Sequence, residues 1–480
     1  MNHGRVTSID SHDARALAEG LRRVYDAVAE RVTEENAASP LAIKVTGHLG
    51  RPIGEVVVVE EKYRLFEHAA LQLAADRYLS EHSPGAEWFG VVGSDRRWES
   101  LINMITSAMK SGGVLLGRPD YAVASIGPDD TMDVIQLGMV CTHAPDGTPV
   151  ILAVSNREDY NKFALLTVLA TERGAATAVR EEIDRLKDAL DPLRGQVVSF
   201  GFSEHRENEL LTFIPRAGLG PEEVVLPEGR LEALEDHVVG IGREADRLRE
   251  AGQHLRRGLL LYGPPGTGKT HTVRYLIGRR PESTAILMTA EGMSKIDFAV
   301  ALARRLQPSI VVIEDVDLIA EDRSQFETSP LLFALLDAMD GVTGDADVTF
   351  LLTTNRVETL EAALVQRPGR IDLAVEVPPP DAAARDRLIR LYARNRPVEA
   401  DVAAVVKATE GVTASFIKEL LRRVVLTALR RDEHALTDDH FATVLTRMAD
   451  DGESLTRALL GGAAEPREHR AKPRLEPPKC

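Results

Sequence analysis

Gly263, Pro264, Pro265, Gly266, Thr267, Gly268, Lys269 and Thr270 spell GxxxxGK[ST] in full. Glycines at those spacings let successive backbone N–H groups curl around phosphate oxygens, and a helix starting at the lysine adds its partial positive charge. Lys269 would reach the β- and γ-phosphates and the Thr270 hydroxyl would ligate Mg²⁺; His271 joins the same loop set. A second group closes an apolar run, Ile310-Val311-Val312-Ile313-Glu314-Asp315. Adjacent carboxylates at a strand tip can divide two tasks, one holding a metal with its waters and one taking a proton from an attacking water. Asn355 ends Thr353-Thr354-Asn355, where an amide can orient that water or touch the γ-phosphate. Arg367 and Arg370 flank Pro368-Gly369 in a turn that would present guanidinium groups. Taken alone, the asparagine reads as a turn starter and the arginines as a solvated basic loop.

Those residues need elements to hold them. From about Val224, short apolar runs (GLLLYG, AILMTA, SIVVIED, TFLLTTN, LAVEVP) alternate with helical or loop sequence. That texture predicts a parallel sheet covered on both faces, an α/β core over 224–380. After Pro378-Pro379-Pro380 the sequence turns helical over 381–448, and 449–480 reads as a disordered tail. Upstream, 1–215 reads as a helical and α+β region. Helices are expected near Ala16–Val32 and Tyr63–Leu79, their apolar stripes packed on each other or on a sheet. Strands DVIQLGMVC and PVILAVS join through Pro145-Asp146-Gly147-Thr148, a helix follows with Val179, Ile183, Leu186 and Leu190 on its buried face, and RGQVVSFGF adds a strand to that domain. A Pro- and Gly-bearing linker then leads into the α/β core.

Composition bounds the rest. The chain has 480 residues, 44% hydrophobic and 28% charged, with 74 acidic against 58 basic side chains and a net charge of −16. Such a balance disfavours a general nucleic-acid binder. Two cysteines, Cys141 and Cys480, build no disulfide framework and suit a reducing cytoplasm. No apolar run is long enough to cross a bilayer and the opening residues lack a secretory pattern. The 13 histidines show no HExxH or comparable ligand spacing.

In order, the four chemical segments resemble the classical AAA ATPase module: GLLLYGPPGTGKT its Walker A segment, PSIVVIEDVD its Walker B strand, and TTNRVETLEAALVQRPGRID its second region of homology. The resemblance runs from about Val224 to Met448. It implies a P-loop sheet with a small helical lid, ATP and Mg²⁺ as cofactors, and ATP hydrolysis. Glu314 becomes the metal-side carboxylate, Asp315 the base, Asn355 the sensor, and Arg367 and Arg370 the fingers that reach the neighbouring subunit's ATP in a homo-hexameric ring. Adenine is expected around Val238–Ile241. Three features depart from the family pattern: Glu-Asp where Asp-Glu is usual, MTAEGMSKIDFAV without the aromatic pore motif (Met293 or Phe298 could substitute, but each is expected to be packed), and Phe416 in place of an acidic lid residue. The resemblance implies a cytoplasmic ring that remodels a protein client recognised, directly or through an adaptor, by the amino-terminal region. The competing reading is an ATP-controlled scaffold with little turnover.

Overall fold

The structure is a computed structural model that describes residues 11–37, 40–92, 103–106, 115–156, 163–203, 208–288, 291–317, 330–342, 344–358 and 370–449. The expected tail over 450–480 lies outside them. The chain forms two compact units, one comprising Met1–Leu193 and Phe202–Leu211, the other Arg194–Gly201 and Thr212–Cys480.

The first unit contains helices α1 (Ser11–Ala37), α2 (Pro40–Leu49), α3 (His68–His82) and α4 (Arg173–Ala189). Its strands are β1 (Val57–Arg64), β2 (Gly90–Val92), β3 (Leu115–Gly117), β4 (Asp120–Ser125), β5 (Thr131–His143), β6 (Pro149–Asn156) and β7 (Phe163–Ala170). Five of these build a sheet in the order β1-β7-β6-β5-β4 with antiparallel neighbours. Alternation along β6 explains its continuous apolar run. Val150, Leu152 and Val154 enter one core with α3 and α4, while Ile151 and Ala153 enter a second core with α2. The turn between β5 and β6 closes as expected: Gly147 has φ +87° and the Thr148 N–H donates to Asp146 Oδ1 at 2.9 Å.

Helix α4 buries Val179, Ile183 and Leu186, but Leu190 follows its last turn and is exposed. The helix expected from Tyr63 begins at His68, because Tyr63 and Arg64 are the last two residues of β1. On α1, Leu17, Leu21, Val24, Tyr25 and Val28 are exposed rather than packed, contrary to the expectation for that stripe.

The second unit is built on a seven-stranded sheet, two of whose strands run on into residues Phe202–Leu211, which group with the first unit. Its strands are β8 (Val197–Ser203), β9 (Asn208–Ile214), β10 (Arg257–Tyr262), β11 (Thr284–Met288), β12 (Ser309–Ile313), β13 (Val348–Thr354) and β14 (Leu373–Glu376). The order is β14-β10-β13-β12-β11-β8-β9. From β14 through β10, β13, β12 and β11 to β8, each successive pair is parallel. The five expected apolar strands are all present. They are buried end to end where central, as β12 and β13 are, which is the burial expected of a doubly covered parallel sheet.

Strand β8 corrects the boundary drawn from the sequence. It extends the nucleotide-side sheet through β11 instead of completing the amino-terminal domain. An apolar strand declares that it is buried but not which sheet buries it. Here Arg216 supplies the anchor, donating to the carbonyl oxygens of Gly195, Ile277, Arg280 and Ser283. Those four acceptors draw the chain after β9, the start of β8 and the base of the sheet together.

Helices α5 (Lys269–Gly278), α6 (Ile296–Arg305) and α7 (Pro330–Asp340) belong to the sheet domain. Helices α8 (Ala382–Ala393), α9 (Val402–Ala408), α10 (Ala414–Arg430) and α11 (Asp438–Ala449) form a helical bundle with its own core, including Phe416, Ile417, Leu420, Leu421 and Val424. Phe416 is thus a packing residue, which accounts for the apolar substitution there. Met293 is buried and Phe298 lies 5.5 Å from the Phe200 ring, so both are packed, as expected.

Behind the sheet, the buried Asp347 carboxylate receives Arg257 at 3.0 Å and Arg280 at 2.9 Å. Arg257 also donates to the Val238 carbonyl. Asp347→Ala leaves two buried guanidinium groups without their shared counter-charge, a loss of about 3 kcal/mol or more. A lowered urea midpoint for the second unit's unfolding is the expected outcome, with the first unit's transition unmoved.

Candidate nucleotide site

Loop 263–268 leaves β10 and enters α5. Gly263, Gly266 and Gly268 have φ of +141°, +77° and +111°, a conformation that L side chains rarely adopt. At Gly263 a Cβ would also stand 2.4 Å from the Val377 carbonyl oxygen. The loop therefore requires its glycines for conformation and for close approach, leaving backbone N–H groups to face a ligand. Thr270, in the first turn of α5, is exposed. The Thr267 hydroxyl donates to the Pro264 carbonyl at 2.9 Å and stiffens the loop from within. His271 Nε2 lies 3.0 Å from the Glu223 carbonyl oxygen.

Lys269 is buried and folds back onto its own loop. Its ammonium donates to the carbonyl oxygens of Gly263 at 2.8 Å and Pro264 at 2.9 Å. Burial pushes its pKa below the usual lysine value, and the carboxylates of Asp315 and Asp317 oppose that shift. Both acidic side chains therefore act electrostatically on the loop lysine.

Asp315 and Asn355 follow the ends of the adjacent parallel strands β12 and β13, and the chain cross-links the two at that edge. The Asp315 N–H donates to Thr353 Oγ1 at 3.0 Å, and Asn355 Nδ2 donates to Asp315 Oδ1 at 3.0 Å. Beneath them Asp317 is buried and accepts from the Thr354 hydroxyl at 2.9 Å and the Asn355 N–H at 3.0 Å. Asp315 has φ +50°, an unusual value for a residue with a Cβ, held here by these bonds on both sides. Glu314 sits half-buried directly after β12. The structure thus brings Asp315, Asp317 and Asn355 into one hydrogen-bonded network, whose two carboxylates favour the charged form of Lys269.

From sequence alone neither Asp317 nor Thr353 is assigned a part in the site. The two threonines before Asn355 carried the available signal, since hydroxyls at the end of a buried strand need partners.

Arg370 is turned onto its own chain. Its Nε donates to the Leu336 carbonyl at 3.1 Å and its guanidinium pairs with Asp340, leaving the side chain 10% exposed. Arg367 lies outside the described residues.

A cavity of about 490 Å³ adjoins the loop at Thr267, lined by Val224, Leu226, Leu231, Pro379, Leu388 and Ala414 among others. Val238–Ile241, expected to meet adenine, do not line it; Val238 and Val239 are buried in the sheet core. The bundle reaches the loop directly, as the Ser415 N–H donates to the Gly266 carbonyl at 3.0 Å and Thr413 caps α10. Among the described residues no group of three or more His, Cys, Asp or Glu side chains could hold a metal ion by themselves. A magnesium nucleotide fits this donor set better than a bare metal. The loop supplies N–H donors for phosphate, and Thr270 with the strand-end carboxylates supplies the hard oxygens that Mg²⁺ takes beside phosphate.

Residues 259–379 match the family described as ATPase family associated with various cellular activities (AAA). Among curated relatives, an ATP-dependent zinc metalloprotease FtsH 2 of Symbiobacterium thermophilum is 32% identical over 271 residues, covering 53% of this chain and 43% of the relative. The ATP-dependent zinc metalloprotease FtsH of Thermus thermophilus is 29% identical, covering 55% and 43%. A chloroplastic relative, FTSH 1 of Oryza sativa subsp. japonica, is 29% identical, covering 53% and 38%. The chain spans less than half the length of each. No helix among the described residues is long and apolar enough to cross a membrane.

The strand-end network yields a paired expectation. Asp315→Asn retains nucleotide but loses roughly 10²-fold or more in turnover, as expected on removing a general base. Asp317→Ala, which removes the acceptor for Thr354 and Asn355, lowers kcat by about tenfold or more through misplacement of Asn355, with KM changed far less. Steady-state kinetics of both variants check this; unchanged kcat in either contradicts the network's role.

Proposed function

The chain belongs to the AAA family of ATPases, and from that premise we propose that it hydrolyses ATP as a ring oligomer and uses the energy to remodel a protein client. The observation that carries the chemistry is the hydrogen bond from Asn355 to Asp315 beside a glycine loop whose lysine is acted on by the same carboxylates. Phosphates would lie against the N–H groups of 263–270, stabilised by the positive end of α5. Lys269 would exchange the carbonyls of Gly263 and Pro264 for phosphate oxygens, which compensate its buried charge better. Thr270 and Glu314 would hold Mg²⁺, which when bound neutralises charge on the phosphoryl oxygens. Asp315 then takes the proton of the attacking water, and Asn355 keeps both carboxylate and water in line. Adenine enters the cavity bounded by Val224, Leu226 and Leu388, so the lid contacts nucleotide and loop together.

A shorter carboxylate at the base position than the family's usual glutamate displaces the proton acceptor by about 1 Å, which can cost a hundredfold. Slow intrinsic turnover follows. It also supports the second reading, a scaffold that assembles on ATP and is reset by hydrolysis.

Arg367 and Arg370 are assigned as the pair reaching the neighbour's ATP. The pairing of Arg370 with Asp340 favours Arg367 as the direct contact and Arg370 as its support. Proteolysis is a property named for the relatives and is not carried to this chain. Threading of polypeptide through the pore is likewise not proposed, since Met293 and Phe298 are packed.

Mixing experiments test the ring. Arg367→Ala subunits mixed with Lys269→Ala subunits, each inactive alone, should regain up to about a quarter of wild-type activity at equal proportions, because a site with an intact loop takes its finger from the other variant. No recovery at any ratio contradicts a shared site. Activity that rises on adding a captured client favours the remodeller, whereas ATP-dependent assembly with negligible turnover favours the scaffold.

A further inference from the structure

Asp315 sits on a backbone that aspartate tolerates and longer side chains do not. Its φ of +50° falls in the left-handed region, which aspartate and asparagine enter more readily because a short polar group can bond locally. Among the described residues, the other non-glycine residues with positive φ, Arg394 and Asp432, stand just past the ends of α8 and α10, where such a turn is ordinary. Asp315 instead follows a strand, so its turn needs a separate cause.

That cause is at Thr353. The pairing of β12 with β11 and β13 ends at Ile313, which stands opposite Leu352 on β13. One residue beyond Leu352, the Thr353 hydroxyl accepts the Asp315 N–H at 3.0 Å, a side chain serving where the main-chain ladder has stopped. Thr353 is 1% exposed and pairs in register with Leu261, two residues before Gly263. Its hydroxyl is therefore fixed relative to the strand that releases the glycine loop. Successive strand side chains point to opposite faces, so Thr353 and Thr354 grip the departing chain from two sides, at the Asp315 N–H and at the Asp317 carboxylate. With the backbone so turned, Asp315 Oδ1 meets Asn355 Nδ2 at 3.0 Å. A glutamate on the same backbone would carry its carboxylate one methylene further out, past that amide, and lacks aspartate's ease in this region.

We infer that Thr353 is a positioning residue for hydrolysis: its hydroxyl holds the turn that aims the Asp315 carboxylate, and the turn makes the position specific for aspartate. The inference deepens the reading of Asp315 as the base and rests on it. Short side chain and turned backbone are one arrangement, so restoring the methylene does not by itself raise the rate.

Steady-state kinetics, with binding of a fluorescent ATP analogue to the full chain, test it. Thr353→Val keeps the side chain's shape and loses the acceptor; kcat falls about tenfold or more, while KM and analogue affinity stay within about threefold. Thr353→Ser returns the hydroxyl and recovers kcat to within about twofold of wild type. Asp315→Glu loses about tenfold or more, whereas a rate set by side-chain length alone would rise.

A kcat at or above wild type in Asp315→Glu overturns the inference, as does an unchanged kcat in Thr353→Val or an equal loss in Thr353→Val and Thr353→Ser. If Thr353→Val no longer binds the analogue, its fold has failed, and the serine and glutamate variants decide. A wild type without turnover, or turnover that survives in Asp315→Asn, sinks the base assignment and this inference with it. Turnover lost in Asp315→Asn but kept in Thr353→Val sinks this inference alone.

Discussion

A buried carboxylate, that of Asp317, holds the ends of two neighbouring strands in register, and the chemistry of the second unit depends on that tie. By accepting from the Thr354 hydroxyl and the Asn355 N–H it fixes where the Asn355 amide points. Asn355 in turn holds Asp315, whose left-handed backbone would otherwise be costly. Parallel pairing puts both strands' carboxyl ends on one edge, the edge at which β10 also releases the glycine loop. The sheet order sets β10 between β14 and β13, with β12 and β13 buried end to end.

Much of this was legible in the residues. The glycine loop could be read because its spacing serves one physical purpose, and the positive φ at Gly263, Gly266 and Gly268 is the conformation that purpose needs. The five apolar strands were legible because continuous burial leaves a continuous run. Other features were not. Strand β8 looks the same in sequence whichever sheet it joins, and its allegiance is settled by four carbonyl groups gathered around Arg216 from distant positions. The cavity beside Thr267 is lined by Val224 and Leu226 because the segment before the sheet folds across the lid side, whereas Val238 is drawn into the core with its carbonyl on Arg257. Periodicity found the stripe on α1 but could not say that the chain's own described residues leave it uncovered.

The lid couples to the site through few contacts. One main-chain bond from Ser415 to Gly266 joins α10 to the glycine loop, while the lid's core is self-contained around Phe416 and Leu420. The Ser415 contact lies in the first turn of α10, beside its Thr413 cap. Arg370 is anchored to α7 by the Leu336 carbonyl and the Asp340 carboxylate.

The central claim is that this edge grips a magnesium nucleotide through Lys269, and equilibrium titration of a fluorescent ATP analogue into the full chain measures it most directly. The account predicts saturable, magnesium-dependent binding by the wild type and a loss of roughly 10- to 100-fold in Lys269→Ala, the scale of a lost charge-assisted hydrogen bond. Failure of the wild type to retain nucleotide, or an unchanged affinity in Lys269→Ala, would contradict it.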